Sequence, residues 1–447
     1  MIGQPKRFLG FVRVVAITGS LLNLGQLTGV CSAQENTLAG QPGPSLMIPA
    51  GTVEAANAFE MPGGEYRALP LGAWLLYPSF SVGAVSDDNI SQTRTNQVSG
   101  VGIRVEPSLV AKLDDGIYNT TVYGTLDDRA YVTGDPTHSN SLAANAGFSQ
   151  TYEAMADLVF KLNGDFTRQK DLFQTFGSDY GATNLNSTGV GLAPVTNPQS
   201  YNQFAGAASV GKTWDSTFLT LTGSAVDIVY DDASIGAPSP NVAVYTAAGR
   251  AGQWLNPTLY LYGEASADER RYIASALDSH GYRTVVGLGF DQVALFRGEI
   301  YGGYQAELYD SGAVPNVGSA AFGGRLSYLA SADLTLSASV DRSLGVSALP
   351  ALTSTIGAST IVTTSLLRAR YMIAEQWSAS ARFGYIQSDY VGSPELDNAW
   401  TAGATLSYSL WQNVSLTLDC DFMQKSSNVV VQNFTRNVVT LGASYQY

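Results

Sequence analysis

The sequence predicts an all-β fold, namely a transmembrane, antiparallel up-and-down β-barrel of about 18 strands within a range of roughly 16 to 20. Three observations support this prediction. Apolar and polar residues alternate along most of the chain, short and long connections follow each other in turn, and the chain ends on an aromatic residue, Tyr447. The alternating segments span about 12 to 15 residues, which is longer than most soluble strands and suits tilted strands that cross a bilayer.

The composition is consistent with a large barrel. Only 14% of the 447 residues are charged, against about 25% in soluble proteins. No stretch beyond the N-terminus approaches the roughly 18 apolar residues of a spanning helix, which argues against a polytopic helical protein. The net charge of −13 argues against nucleic acid as a partner.

The N-terminus predicts secretion. A basic start, an apolar stretch and a small-residue ending make residues 1–33 a signal peptide that is cleaved near Ala33. The alternative is a lipoprotein signal that ends at Cys31, but the bulky Val30 before the cysteine disfavours it. Secretion combined with a barrel places the mature protein in the outer membrane of a Gram-negative cell.

Two regions follow the signal peptide. Residues 34–66 are rich in Pro, Gly and Ala and show no periodicity, so they are interpreted as a flexible periplasmic N-terminal segment. Residues 67–447 are interpreted as the transmembrane β-barrel. The predicted strands are 73–86, 99–112, 117–132, 140–152, 156–170, 200–213, 217–231, 241–254, 258–273, 281–293, 295–308, 318–330, 334–346, 360–373, 377–389, 398–411, 414–426 and 434–447.

The alternation separates a lipid-facing side from a lumen-facing side. In one strand Leu259, Leu261 and Ala265 share a face, while Tyr260 and Glu264 lie on the other. The last strand alternates in the same way and ends on an aromatic residue, a feature that resembles the signal read by the barrel-assembly machinery. We therefore expect that machinery, together with outer-membrane lipid, among the partners.

The connections fall into two alternating classes, short periplasmic turns and longer extracellular loops. Tryptophans lie at or beside short turns and predict an aromatic girdle at the inner interface: Trp214, Trp254, Trp377 and Trp411. The longest loop, residues 171–199, has two equal interpretations. It either folds into the lumen as a constriction or remains outside as a surface loop.

If the polar face of each alternating strand points into the lumen, the lumen wall carries both positively and negatively charged side chains. The predicted lumen cations are Arg104, Arg129, Lys161, Lys212, Arg250, Arg270, Arg297, Arg325, Arg368, Arg370, Arg382 and Arg436. The predicted lumen anions are Glu106, Asp127, Asp165, Asp227, Glu264, Asp268, Glu299, Glu307, Asp341, Asp419 and Asp421. Such a wall either sets a field across a pore or closes ladders of ion pairs.

The candidate pore-lining residues are drawn from this wall. They are Arg368, Arg370, Arg382, Arg104, Arg325, Glu264, Glu299 and Glu307. Among them, the first three lie on neighbouring strands, where facing arginines can attract an acidic solute.

Enzyme chemistry finds little support in the sequence. His138 and His280 both fall in predicted outer loops without a recognisable motif, so we expect no catalytic residues and no enzyme activity. Two histidines also leave little for a metal site, and no cofactor is expected. Cys420 is left unpaired on an apolar strand face.

The start of the barrel carries a family resemblance. Arg67, Gly72, Tyr77-Pro78-Ser79 and Ser86-Asp87-Asp88-Asn89-Ile90 resemble the opening of the putative beta-barrel porin 2 family of proteobacteria. The resemblance implies an outer-membrane porin. Some members are associated with exopolysaccharide production, which implies that a sugar polymer is exported through the lumen. It carries over no catalytic or binding residues.

The functional expectation is passive passage of hydrophilic solutes through a porin or channel, with export of an exopolysaccharide as a second possibility and polysaccharide as a candidate partner. Inward tyrosines such as Tyr260, Tyr262 and Tyr301 suit stacking on sugar rings. The alternative is a structural or surface-binding barrel that is plugged by its own loops and transports nothing. The oligomeric state is left open.

Overall fold

The computed structural model describes residues 68–132, 140–169, 200–231, 241–273, 277–293, 295–312, 314–346 and 359–447. The predicted signal peptide, the segment 34–66 and the loop 171–199 lie outside these residues. Within the described ranges no helix combines the length and the hydropathy needed to cross a bilayer.

Within the described residues the chain forms a closed antiparallel barrel of eighteen strands, as the sequence predicts. Each predicted strand agrees with an observed one to within three residues at either end. The strands are β2 Trp74–Asp87, β3 Gly100–Asp114, β4 Tyr118–Tyr131, β5 Ser141–Met155, β6 Leu158–Gln169, β7 Tyr201–Trp214, β8 Thr217–Tyr230, β9 Val242–Asn256, β10 Leu259–Tyr272, β11 Ser279–Val293, β12 Phe296–Tyr309, β13 Val317–Leu329, β14 Leu334–Val346, β15 Ser359–Ala374, β16 Trp377–Tyr390, β17 Leu396–Trp411, β18 Val414–Ser427 and β19 Phe434–Gln446.

Small elements among the described residues were not predicted. A short strand, β1 (Leu69–Leu71), forms a hairpin with the start of β2. Gly72 lies in the turn between them with a φ of 63°, a left-handed conformation that glycine adopts without strain. A short 3₁₀ turn, Val430–Gln432, precedes the last strand.

The barrel closes where β19 meets β2. Ser79 pairs with Gln446 near one end of this seam, and the Asp88 amide donates a hydrogen bond to the Asn437 carbonyl at the other, over 3.2 Å. A buried ion pair reinforces the second end, because Arg436 Nη2 lies 2.5 Å from Asp87 Oδ2. An even number of strands brings both chain ends of the barrel to the same side. We call this side, where the short turns lie, the turn end, and the opposite side the loop end.

Burial follows the predicted two-residue period on most strands. On β10, Leu261 is exposed to the outside, whereas Tyr262 and Glu264 are buried against other inward groups. On β18, Cys420 is exposed on the outer face, as the sequence predicts. The outer face is therefore apolar and the inner face carries the polar groups, as a lipid-embedded barrel requires.

Asp227 departs from that rule. The sequence places it in the lumen because it is charged, but it shares the outer face of β8 with Leu219 and Leu221, while Val226 and Ile228 are buried inward. The prediction was wrong because polarity inverts near the loop end of β8. There, the outer face approaches the edge of the bilayer and the inner face is apolar.

Aromatic pairs mark two levels on the outer face. At the turn end, Trp377 packs against Tyr408 in a tilted arrangement with ring centroids 4.7 Å apart, and Phe296 stacks on Tyr328 at 4.4 Å. Nearer the loop end, Tyr282 and Tyr304 pair, as do Phe383 and Trp400. On β12 eight residues separate the two levels, which is about 20 Å along the axis of a strand tilted by about 40° and close to the height of a bilayer-facing band.

The tryptophan prediction holds in part. Trp214, Trp377 and Trp411 are exposed at the turn end, consistent with an interfacial girdle. Trp254 is not part of that girdle. It faces the lumen, where its ring lies 4.8 Å from the ring of Tyr260.

Two turn-end carboxylates are fixed locally. The Tyr118 and Ile117 amides donate to Asp115 Oδ1 and lower the pKa of this exposed carboxyl. A hydrogen bond from Lys212 lowers the pKa of Asp157 in the next turn. A carboxyl whose pKa is lower in the folded than in the unfolded protein stabilises the fold at any pH above the unfolded pKa. This stabilisation is lost as the pH falls through the folded pKa, so both turns are expected to weaken only in acid.

Candidate functional site: the barrel lumen

A network of buried charges lies on the wall formed by β9 to β13. Arg250 is its centre, because its guanidinium contacts Glu264 Oε2 at 2.7 Å and Glu299 Oε2 at 3.1 Å. Arg283 reaches the other oxygen of Glu264 at 3.4 Å, and Arg325 reaches Glu299 at 3.7 Å. We call these five residues the central network.

The central network is asymmetric in exposure. The side chains of Arg250, Glu264 and Glu299 are no more than 6% exposed, whereas that of Arg325 is 61% exposed. Arg250 also lies 4.0 Å above the ring of Tyr262, a cation–π contact. The network therefore presents one water-exposed arginine to the lumen and buries the charges behind it.

A second network lies on β3 and β4. Arg104 binds Asp127 at 2.9 Å and Glu106 at 2.8 Å, and Arg129 reaches Asp127 at 3.2 Å. Arg104 and Glu106, both predicted to line the lumen, are here held in ion pairs. These contacts are ion pairs of the kind that one of the two alternatives for a mixed wall predicts.

The structure brings the predicted arginine cluster together. Arg368 and Arg382 are direct cross-strand partners on β15 and β16, and Arg370 lies one inward position away on β15. Arg382, however, is already neutralised. It contacts Asp419 at 2.9 Å and also Asp421, and it donates to Thr405. Arg368 and Arg370 lie beside this ion-paired arginine on β15.

A third group of charges lies towards the loop end. Arg270 contacts Glu307 at 3.1 Å and Asp268 at 3.0 Å. Its Nη2 also donates to the Leu344 carbonyl at 3.2 Å, although Leu344 is on β14, four strands away. Neighbouring strands lie about 4.8 Å apart, so this contact requires the wall to curve sharply inward here.

Above these charges, inward side chains form an apolar layer at the loop end. Among the described residues, twelve strands and two connections contribute to this contiguous cluster. Its members are Val85, Tyr131, Tyr201, Ala205, Val226, Ile228, Val242, Val244, Tyr272, Leu277, Tyr309, Val314, Val362, Ile386, Ala399, Met423, Phe434 and Val438.

The apolar layer is shielded from water. Ile228 and Met423 are 0% exposed and Ile386 is 1% exposed, although all three point inward on different strands. Inward residues of an open, water-filled pore would instead be wet. In the described structure these inward side chains are therefore packed against other groups rather than exposed to water.

Inward aromatic rings line the turn-end half of the wall. Tyr260 and Tyr262 lie flat across the neighbouring strand, where a Cβ atom on Gly289 or Gly287 would approach their rings to 1.9 and 2.3 Å. Glycine is therefore required at both positions, since any side chain would displace the ring. The two tyrosines are buried, which makes them poor platforms for sugar rings, contrary to the sequence-based expectation. Tyr301 instead donates a hydrogen bond to Asp341.

The remaining predicted and missed residues complete the site. His280 lies in β11 rather than in a loop, at an exposed position 3.3 Å from Asp310 Oδ1, and His138 lies outside the described residues. The alternation pattern did not mark Arg283, Lys425 or Asp397 as lumen residues. Lys425 and Asp397 form a buried ion pair of 2.7 Å. They are diagonal neighbours on the same face of adjacent strands, so the register of β17 and β18 would have indicated the pair. In the described ranges no group of three His, Cys, Asp or Glu side chains is arranged to hold a metal ion.

These features define the class of protein: an outer-membrane β-barrel with a charged inner wall and an apolar outer face. The sequence pattern of the putative beta-barrel porin 2 family matches residues 65–447. The chain belongs to this family, as the opening strand indicates. No curated protein matches the chain.

The comparison with solved structures found distant matches. The siderophore receptor PirA from Pseudomonas aeruginosa has 10% identity and a TM-score of 0.39, with 83% of this chain and 80% of that chain covered. The siderophore receptor PiuA from Acinetobacter baumannii has 9% identity and a TM-score of 0.41, with 85% and 82% covered. The FrpB iron transporter from Neisseria meningitidis (F5-1 variant) has 8% identity and a TM-score of 0.41, with 91% and 87% covered. At these values the similarity carries no argument about this chain.

Proposed function

We propose that the protein is an outer-membrane channel through which hydrophilic solutes pass down their concentration gradient. The observation that carries this proposal is the charged inner wall of an eighteen-strand barrel, on which Arg325 is 61% exposed to water. A wall of this size and polarity suits water and small polar solutes. The family description as a porin points in the same direction.

The apolar layer makes the proposed channel a gated one. It lies across the path at the loop end, which is the extracellular side if short turns are periplasmic. Hydrophobic constrictions of this kind block ions by excluding water. Passage then requires the layer to separate and become wet.

A liposome-swelling assay tests the proposal. Vesicles that contain the purified barrel are placed in isotonic solutions of neutral sugars of graded size. Swelling that is faster than in protein-free vesicles and that slows as the sugar grows is expected. Swelling equal to that of protein-free vesicles for every sugar would contradict passive passage.

The second candidate is a closed structural or surface-binding barrel. The dry apolar layer is the observation that favours it, since a barrel sealed in every state would present the same layer. Binding of the outer loops to other molecules would then be its role. The two candidates differ in whether any condition opens the lumen.

Export of an exopolysaccharide is a narrower proposal within the first candidate. The arginines on β15 suit the carboxylates of an acidic polymer. Glycosyltransferase genes beside the gene for this protein would support it, and block of the channel current by an acidic oligosaccharide would test it directly. If no glycosyltransferase genes are present and the acidic oligosaccharide does not block the current, polymer export is contradicted and the protein is a general channel for small solutes.

Charge selectivity provides a test at residue level. Changing Arg368, Arg370 and Arg382 together to Ser is expected to shift the reversal potential in a salt gradient away from anion preference, because the wall loses three positive charges. Arg342→Ser is the control. Arg342 lies on the outer face of β14, beside the exposed Phe322, and donates a hydrogen bond to Thr363 on β15 at 2.8 Å. Its loss is therefore expected to leave the potential unchanged. An unaltered potential in the triple variant would remove the cluster from the selectivity mechanism.

We further propose that outer-membrane lipid surrounds the barrel, that the barrel-assembly machinery recognises β19, and that the protein is not an enzyme. The alternation of exposed Leu441 with buried Thr440 supports recognition of an amphipathic last strand. For catalysis, His280 has Asp310 beside it, but among the described residues no serine or cysteine side chain is bonded to its ring.

A further inference from the structure

A cluster of polar side chains on β5 and β6 is outside the ion-pair networks described above. Asp165 faces the lumen on β6 and is 9% exposed, yet it forms no ion pair with any described residue. Its Oδ2 accepts a hydrogen bond from Thr167 at 3.2 Å, and its Oδ1 has no partner. A buried carboxylate is normally paired with a cation or bound to a metal.

The groups around Asp165 also have unused polar atoms. Asn163 is 4% exposed and lies one inward position from Asp165, and its Nδ2 has no partner. Asn145 donates from Nδ2 to Thr167 at 2.9 Å, while its Oδ1 is buried without a partner. Asp165 Oδ1, Asn163 Nδ2 and Asn145 Oδ1 are therefore three buried polar atoms without a hydrogen-bond partner. They belong to neighbouring side chains, two of which are linked through Thr167.

The flanking strand positions leave room beside the carboxylate. Asp165 pairs with Gly147 on β5 and with Ala205 on β7, so neither neighbour in its row is large. A Cβ atom on Gly147 would lie 2.5 Å from Tyr123 Oη, which places this hydroxyl oxygen above the same position. The space beside Asp165 is thus bordered by oxygen-bearing groups from three strands.

We propose that Asp165, Asn145, Asn163 and Tyr123 form a binding site for one hard metal cation. The carboxylate supplies the charge, and the Asn145 and Tyr123 oxygens supply neutral ligands. Rotation of the Asn163 amide exchanges its nitrogen for an oxygen. Oxygen ligands of this kind suit Ca²⁺, Mg²⁺, Na⁺ or K⁺ rather than metals that prefer nitrogen or sulfur. The cation links β4, β5 and β6 and neutralises the buried charge. This site is independent of whether the barrel conducts.

Terbium luminescence tests the proposal on the full-length barrel in detergent, stripped of metals and kept at constant ionic strength with choline chloride. Tb³⁺ is a hard cation whose emission is excited through a nearby tyrosine. We expect saturable emission that one or more of Ca²⁺, Mg²⁺, Na⁺ and K⁺ displaces, and a loss of affinity of at least tenfold in Asp165→Asn. Asp341→Asn is the matched control, because Asp341 is equally buried but is bonded to Tyr301.

The unfolding temperature of the unmodified barrel provides a second measurement that needs no variant. It is expected to rise with the cation that displaces Tb³⁺, and the competing cation identifies the ligand as divalent or monovalent. Emission that is unchanged in Asp165→Asn, or an unfolding temperature that no cation raises, would overturn the proposal. Either result would mean that the buried Asp165 carboxyl group is protonated or bound to water instead of to a cation.

Discussion

Replacing Ile228, Ile386 and Met423 together by serine is expected to open the barrel to ions. These residues are inward members of the apolar layer and have almost no contact with water. Burying an aliphatic side chain is worth about 1.5 to 3 kcal/mol, so three polar replacements shift the balance between a dry and a wet layer by several kcal/mol. Since every 1.4 kcal/mol is tenfold, the channel current is expected to rise by about tenfold or more.

Matched variants distinguish gating from general damage. Ile228→Leu, Ile386→Leu and Met423→Leu keep the layer apolar at similar volume, and are expected to leave the current close to that of the native barrel. A serine variant that is folded but conducts no better than the leucine variant would show that the layer does not control the path.

Replacing Arg250 by methionine is expected to cause the largest loss of stability. Arg250 is the shared partner of Glu264 and Glu299, and its removal leaves two buried carboxylates without their main cation. Breaking a buried ion pair in this way costs about 3 to 5 kcal/mol. The free energy of unfolding in urea, measured with the barrel in lipid vesicles, is the appropriate quantity.

Arg325→Met is the control for this prediction. Arg325 contacts the same Glu299, but it is exposed to water, and exposed pairs contribute about 1 kcal/mol or less. Adding Glu264→Gln and Glu299→Gln to Arg250→Met is expected to recover part of the loss, because the residues act as one network. Equal losses for Arg250→Met and Arg325→Met would contradict the inferred role of burial.

The sequence was sufficient to predict the strands because one physical constraint acts along the whole barrel. Every strand must present apolar residues to lipid, and every backbone group must pair with a neighbour. Period-two alternation and turn residues report both requirements directly. The short strand β1 (Leu69–Leu71) escaped prediction because it pairs with the start of β2 as a hairpin and is too short to show a period.

The site could be predicted only in part, since polarity was used as the marker of the inner face. That marker holds for Glu264 and Arg250 but fails near the loop end. On β8, Val226 and Ile228 point inward and Asp227 outward, so the same assumption misplaced Asp227 and concealed the apolar layer. Trp254 was misplaced for a related reason, because aromatic residues also line the inside.

Which charges meet could not be read from one strand at a time. Arg250 and Glu264 are cross-strand partners, so a correct register would have paired them. The contact between Arg250 on β9 and Glu299 on β12 depends instead on the curvature of the wall. Arg382 on β16 likewise reaches past the adjacent strand to Asp419 and Asp421 on β18.

The current through a planar bilayer that contains single purified barrels tests the central claim most directly. A gated channel predicts discrete current steps, rare in the native barrel and frequent when Ile228, Ile386 and Met423 are serine. The absence of steps in both proteins, each shown to be folded and inserted, would contradict a solute path through the lumen and favour the closed barrel.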